Sequence, residues 1–175
     1  MRGVMVGMLV LGLVGCGGTK EPPKTIKDTS RDITAVNMVE SKNGKVLNIE
    51  METSSVTGGA GFFLMASDEM LDIMRGVVTY FPEQSGDRAR FILSTQLVDK
   101  YGNKSSAAVI ELGLDMSEVK KMNFANNTFT AWDILRFVDQ VKYPSLVGVD
   151  IIAEYCQKES NQKYAMDFCR LALNG

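Results

Sequence analysis

Three cysteines carry the clearest chemical signals in this chain. Cys16 follows an apolar run over residues 4–14 and directly follows the small residue Gly15. It supplies the only thiol near the end of that run. Cys156 and Cys169 lie close together near the C-terminus. A crosslink between Cys156 and Cys169 is therefore the predicted chemistry of this pair.

The residues before Cys16 are organised like a secretory signal, because a positive Arg2 precedes the apolar run. At about 1.5 Å per residue, a helix of this run cannot cross a hydrocarbon core about 30 Å thick. Its end, Leu13, Val14, Gly15 and Cys16, resembles the lipobox of bacterial lipoproteins position for position. The resemblance implies diacylglycerol on the Cys16 thiol, cleavage before Cys16 and acylation of the new amine. The competing interpretations are an ordinary secretory signal with a chance cysteine and a short buried hydrophobic segment.

The resemblance ends at residue 16 and implies a cell-envelope location. In enteric bacteria an aspartate directly after the lipidated cysteine tends to hold a lipoprotein in the inner membrane. Gly17 stands there in this chain, which favours the outer membrane, with the protein facing the periplasm. Residues 1–15 are then a signal peptide, and residues 16–31, rich in Gly, Pro and charge, a flexible tether. Residues 32–175 suit a single domain with its own core.

The composition excludes several classes of site. The chain has no histidine, which removes imidazole bases, HExxH zinc sites and imidazole proton shuttles. Its net charge is −2 without a basic stripe, so we expect no nucleic-acid partner. No sequence motif indicates a cofactor or a metal cage, and we therefore predict neither.

Acidic and hydroxyl side chains are the remaining candidates for catalysis. Glu50 and Glu52 share one face of a predicted strand, whereas a glycosidase needs two carboxylates held across a cleft. Neighbouring acids on a strand are more typical of a solvated surface. Ser117 and Lys120 match an S-x-x-K motif but lack its companion motifs, so they are interpreted as the start of a helix. We predict no catalytic residues and a protein that is not an enzyme.

Alternating apolar and polar residues predict a sheet built from hairpins. Two alternating runs, near 32–41 and 45–53, surround Asn43 and Gly44, which is a strong hairpin signal. A longer hairpin is predicted over about 89–114, and its length suits the centre of an antiparallel sheet. The predicted fold class is α+β, with an antiparallel sheet that carries helices.

The glycine-rich residues 57–61 predict a turn that enters a buried strand. In the alternative interpretation they form a mobile loop that presents Phe62, Phe63 and Leu64 to a protein partner, which makes these three the candidate contact residues. Ser67 is a predicted N-cap for the helix that follows.

The C-terminal third, about 117–175, is predicted to be helical. Thr130 and Asp133 have the spacing of a capping box, and an apolar stripe continues through Val138 and Val141. Further helices are predicted near 146–158 and 161–173, on either side of a connection at Ser160 and Asn161.

Cys156 and Cys169 are nearly equidistant from that connection, so an antiparallel helical pair would bring them opposite each other. This geometry predicts a disulfide. Two buried free thiols are the competing interpretation.

These observations favour an envelope lipoprotein with a structural or assembly role, such as an accessory of a secretion or surface machine, and with a protein partner. That last detail follows from what this class of protein often does and not from particular residues. The alternative is a lipoprotein that binds a small ligand or substrate, for which a pocket lined by Trp132 and tyrosines would be the evidence. An anchored hydrolase is the third hypothesis.

Overall fold

The computed structural model describes residues 21–42, 44–53, 58–125 and 128–174. The predictions about the signal peptide, the lipobox with Cys16, the first part of the tether and Asn43 lie outside these residues. Among the described residues, no helix has both the length and the apolar character needed to span a membrane.

One sheet of five strands organises the domain, and its spatial order follows the chain. The strands are β1 Ile33–Ser41, β2 Gly44–Glu52, β3 Arg88–Val98, β4 Lys104–Asp115 and β5 Val138–Lys142. Every neighbouring pair is antiparallel except β2 and β3, which are parallel. The predicted α+β class is confirmed, with a sheet that is mostly antiparallel and has this one parallel pair. A helix of 23 residues, α1 Gly58–Tyr80, connects β2 to β3 and reverses the chain between them, so the two strands run in the same direction.

Both predicted hairpins are present at nearly the predicted bounds. The β1–β2 turn includes Gly44 at φ 104°, and the β3–β4 turn includes Gly102 at φ 85°. Both angles lie in the left-handed region that glycine enters without strain. Local alternation and turn chemistry therefore determine these two hairpins.

Helix α1, Gly58–Tyr80, begins where a turn and a buried strand were predicted. That prediction is wrong because contacts from a distant helix stabilise the glycine-rich start. The Glu154 Oε2 atom accepts a hydrogen bond from the Gly59 N–H at 3.0 Å, and Gly59 lies so close to Ile151 that a side chain would crowd it. Ser67 is therefore not an N-cap. It is buried within the helix, and its hydroxyl donates to the Phe63 carbonyl.

Alternate residues of the central strands and the apolar face of α1 belong to one core. Leu47, Ile49, Phe91, Leu93 and Leu112 point from the inner face of the sheet into this core. Strand residues of the opposite parity, including Glu50, Glu52 and Arg90, lie on the outer face. The other helical segments are a 3-10 turn at Ile26–Thr29, a second at Pro82–Gln84, α2 Met116–Val119, α3 Ala131–Leu135, α4 Leu146–Gln157, α5 Glu159–Tyr164 and α6 Met166–Asn174.

The C-terminal third differs from its helical prediction in two places. Val138 and Val141 belong to strand β5, which pairs antiparallel with β4, and not to a helical stripe. Five residues are too few to distinguish a helical period from a strand period. As a strand, β5 pairs with the backbone N–H and C=O groups on the edge of β4, which a helix at this position would leave without partners. The predicted last helix is divided into α5 and α6 at buried Ala165. Ser160 and Asn161 lie within α5 and do not form a connection between helices.

Candidate functional site

The N-terminal segment, residues 21–32, is the part of the domain nearest to the predicted anchor. Its 3-10 turn begins after Thr25, whose backbone N–H and hydroxyl both donate to Asp28 Oδ2, at 2.7 and 2.9 Å. The hydrogen bond from the Thr25 side chain is the main reason that the pKa of Asp28 lies below its usual value. A polar turn is thus fixed locally before the chain enters the sheet.

This segment is docked along α1. Ile26 is buried, Thr29 lies against Gly76, and the Ser30 hydroxyl donates to Glu69 Oε2 at 2.7 Å. The prediction of a flexible tether over 16–31 is therefore wrong for its last residues, because Ile26 gives them an apolar contact that composition alone did not reveal. The reach from Cys16 to Thr25 is about 30 Å if that stretch is fully extended.

A groove of about 920 Å³ lies between the N-terminal segment and the C-terminal half of α1. Pro22 and Pro23 form one wall, and Arg75, Tyr80 and Phe124 lie on the other side. Arg75 pairs with Asp72, while its Nε–H is buried and has no hydrogen-bond partner among the described residues. The groove therefore combines apolar surface with the ion pair between Arg75 and Asp72.

The distal part of the β3–β4 hairpin forms a second feature, the arm, defined here as residues 95–107. Pairing of β2 with β3 ends at Ser94, and pairing of β5 with β4 involves only residues 111–114, so no other strand of the described chain pairs with the arm. Val98 and Tyr101 at its tip are 62% and 76% exposed. In the tip, Asp99 accepts hydrogen bonds from Asn103 and Tyr101, and the bond from the Asn103 side chain contributes most to lowering the pKa of Asp99.

The arm and the groove lie at opposite ends of the domain. Because α1 runs against β3, Tyr80 lies near the beginning of β3, whereas the arm extends from its end. Residues 88–94 of β3, about 23 Å of strand, separate the beginning of β3 from the arm. Because the tether joins the domain beside the groove, the arm lies at the end of the domain that is farther from the predicted anchor.

Cys156 and Cys169 form a disulfide with a Cα–Cα distance of 5.6 Å, as predicted. The bridge joins α4 to α6 beside an aromatic cluster in which the Phe63 ring lies 4.8 Å from the Tyr155 ring and 5.2 Å from the Phe168 ring, centroid to centroid. Burial raises the pKa of the Tyr155 phenol well above its usual value. The cluster is structural, since it fills the space between α1 and the C-terminal helices.

The predicted contact surface at Phe62, Phe63 and Leu64 is wrong for its two aromatic residues. Phe62 and Phe63 are buried in the core because this stretch is helical, and only Leu64 is exposed. Their helical spacing with Ala66 and Met70 was the signal that could have identified them as core residues.

The other candidate side chains from the sequence are not brought together. The carboxylate of Glu52 lies on the outer face of the sheet and accepts hydrogen bonds from Ser106 and Gln96. Trp132 stacks on Tyr164, and its indole N–H donates to Asn161 Oδ1 at 3.0 Å, so it lies at the edge of the core and lines neither the groove nor the arm. The groove residues were missed because they come from three separate parts of the chain.

No group of three or more acidic, cysteine or histidine residues within the described ranges could hold a metal ion. Comparison with protein-family models, with curated proteins and with solved structures finds no match to this chain.

Proposed function

We propose that this protein is a lipoprotein of the bacterial envelope, anchored through Cys16, that supports a protein assembly and does not catalyse a reaction. The observation that carries the anchor is the run of Leu13, Val14, Gly15 and Cys16 after a charged and then apolar start. One acyl chain holds a protein only marginally, whereas two or more anchor it stably. The outer membrane, with the domain facing the periplasm, is the proposed location.

Two structural features support this proposal. The Cys156–Cys169 disulfide suits an oxidising compartment outside the cytoplasm. The docked N-terminal segment would keep the groove end of the domain toward the bilayer, and the arm would then extend away from it with Val98 and Tyr101 available to a protein partner. The arm replaces Phe62 and Phe63 as the proposed contact surface.

The anchor is tested by changing Cys16→Ser in the full chain and following metabolic palmitate labelling and cell fractionation. We expect the label to disappear and the protein to leave the membrane fraction. Cys169→Ser is the matched control, since it removes a cysteine far from the signal and should keep the label. Equal labelling of the Cys16→Ser chain would contradict the anchor.

The assembly role is tested by crosslinking in intact cells with a photoreactive residue at position 101. We expect one discrete adduct that is lost when Val98 is changed to Ser. Leu146→Ser, an exposed apolar change outside the arm, should leave the adduct intact. No adduct at position 101, or an adduct equally sensitive to Leu146→Ser, argues against the arm.

The groove favours a second candidate function, binding of a small ligand. Its volume of about 920 Å³ falls within the range of ligand sites, and the apolar side chains of Tyr80 and Phe124 line it beside the charged Arg75. Native mass spectrometry of the protein released gently from envelopes would detect a bound molecule. A ligand that is present in the wild type, absent after Tyr80→Ala and retained after Tyr164→Ala would favour this function over the assembly role.

A further inference from the structure

Strand β1 has an open edge. It forms one end of the sheet, and β2 is the only strand of the described chain that pairs with it. The loop after Ser41 has two residues, so Ser41 and Gly44 form the hydrogen-bonded pair that closes the hairpin. Alternation then points the backbone N–H and C=O of Val36, Met38 and Glu40 away from β2. No described residue outside β2 forms a hydrogen bond with residues 35–40.

The usual protection of an edge strand is present only at the beginning of β1. Natural edges are protected by proline, lysine, bulges or a covering element. Here the bulge lies between Ile33 and Ala35, and the Lys27 ammonium donates to the Thr34 carbonyl at 3.0 Å. The rest of the strand has no proline and one charged residue, Glu40, while Met38 and Val39 are 40% and 46% exposed.

We propose that β1 pairs antiparallel with β1 of a second copy of this chain, about a two-fold axis at Asn37, to form one continuous sheet. This register places Val36 opposite Met38 of the second copy and Ala35 opposite its Val39, so apolar residues meet on both faces. The two Asn37 residues face each other at the axis. The outward backbone groups of Val36 and Met38 then form a hydrogen-bonded pair.

Charge complementarity identifies a second copy as the partner. Glu40 of the second copy lies opposite Thr34, whose carbonyl holds the Lys27 ammonium. Lys27 and Glu40 take part in no ion pair among the described residues, although Lys45 lies opposite Glu40 on β2. In the proposed dimer, Lys27 of each copy forms an ion pair with Glu40 of the other copy, so the two-fold axis gives two such pairs. A register centred on Met38 would instead place Glu40 against Val36.

Pairing through β1 rests on the proposed assembly role, because it names another copy of the chain as a partner. It does not require the lipid. An Asn37→Cys protein that is absent from the membrane fraction but crosslinks through β1 would overturn the anchor alone. A membrane-bound protein that does not crosslink would overturn the β1 pairing alone.

The test is Asn37→Cys in the full chain, expressed with its own signal. With Cys156 and Cys169 bridged and Cys16 lipidated, the new thiol is the only free one. Opposed residues of a non-hydrogen-bonded antiparallel pair have Cα atoms about 4.5 Å apart, which a disulfide can join. We expect most of the chain to run as a covalent dimer on a non-reducing gel and as a monomer after reduction.

Thr34→Cys is the matched control on the same edge. The two-fold axis separates the two residues at position 34 by about 20 Å, beyond the reach of a disulfide. Dimer that is missing for Asn37→Cys, equal for both variants, or replaced by an adduct of another mass overturns the proposal.

A charge exchange tests the register independently. Lys27→Glu in the Asn37→Cys chain should reduce the dimer, and adding Glu40→Lys should restore it. Failure of the second change to restore the dimer overturns the register.

Discussion

The two edges of the sheet differ in length, in charge and in the contacts that cover them. β1 has nine residues and β5 has five. β5 pairs with β4 across a bulge, carries the charged residues Asp139 and Lys142, and packs against α6. The hydroxyl of Tyr143, the residue after β5, donates to the Ala172 carbonyl of α6 at 2.8 Å. β1 has a comparable contact only at its start, from Lys27.

This difference shows that one domain can close one edge and leave the other open. β5 is covered by α6, which the Cys156–Cys169 disulfide joins to α4, and Asp139 of β5 forms an ion pair with Arg88. An exposed edge with apolar residues is a liability unless a strand covers it. The asymmetry therefore favours a strand partner at β1 and none at β5.

The largest expected effect comes from removing the disulfide that joins α4 to α6, the helix that packs against β5. Changing both Cys156 and Cys169 to Ser removes a crosslink across 13 residues, which we expect to lower the free energy of unfolding by about 3 kcal/mol. Denaturant unfolding measures this loss. Hydrogen exchange should become faster in α6 and β5 and stay unchanged in β1. Unchanged stability, or equal acceleration at both edges, would contradict the assigned role of the bridge.

Next in size is the contact that supports the start of β1. Ile26→Ala leaves a cavity between the N-terminal segment and α1, so we expect a loss of about 2 kcal/mol in the free energy of unfolding. Lys27→Ala, at the neighbouring exposed position, should cost less than about 0.5 kcal/mol. Similar losses for the two variants would show that the segment is not docked through Ile26.

The hydroxyl of Tyr143 provides a smaller test at the other edge. Tyr143→Phe removes its hydrogen bond to Ala172, with an expected loss of about 1 kcal/mol. The change Tyr80→Phe is the control, because that hydroxyl forms no hydrogen bond among the described residues.

The Tyr143→Phe variant should also change the way in which stability depends on alkaline pH. Burial raises the pKa of Tyr143 from 10.0 to about 12. The folded state therefore holds this proton more tightly than the unfolded state. Its contribution to stability is complete below pH 10 and is lost as the pH rises toward 12. Unfolding measured between these values should show a shallower decline for Tyr143→Phe, and an unchanged slope would contradict the burial of this phenol.

The smallest effect concerns the ion pair on the outer face of β5. Arg88 has a raised pKa, chiefly because it hydrogen-bonds to Asp139. Both side chains are partly exposed, so Asp139→Asn should cost less than about 0.5 kcal/mol. The loss should disappear in concentrated salt because exposed charges are screened. A loss that is independent of salt would indicate a packing role.

Sequence patterns predicted those parts of the fold that depend on neighbours in the chain. The β3–β4 hairpin needs only its alternation and the turn at Gly102, and it was predicted to within a residue or two at its ends. The beginning of α1 depends on Glu154, which lies 95 residues away, so the local glycines indicated a turn instead. β5 forms because β4 has an edge to fill, which five residues of sequence cannot reveal.

The candidate site was predictable only where it depends on covalent chemistry. The spacing of Cys156 and Cys169 identified the bridge, even though the intervening residues form a helix and not the expected connection. The groove, the arm and the open edge depend on which elements lie next to each other. Ile26, a single apolar residue in a polar stretch, gave the one local sign that the tether is docked.

Location, compartment and orientation all depend on the modification of Cys16. The most direct test is mass spectrometry of the N-terminal peptide of the protein from isolated envelopes, after cleavage at Lys20. We expect a peptide that begins at Cys16 and carries the added mass of two or three acyl chains with glycerol. An unmodified peptide, or one that begins at Met1 or at any residue other than Cys16, would contradict a lipid-anchored protein.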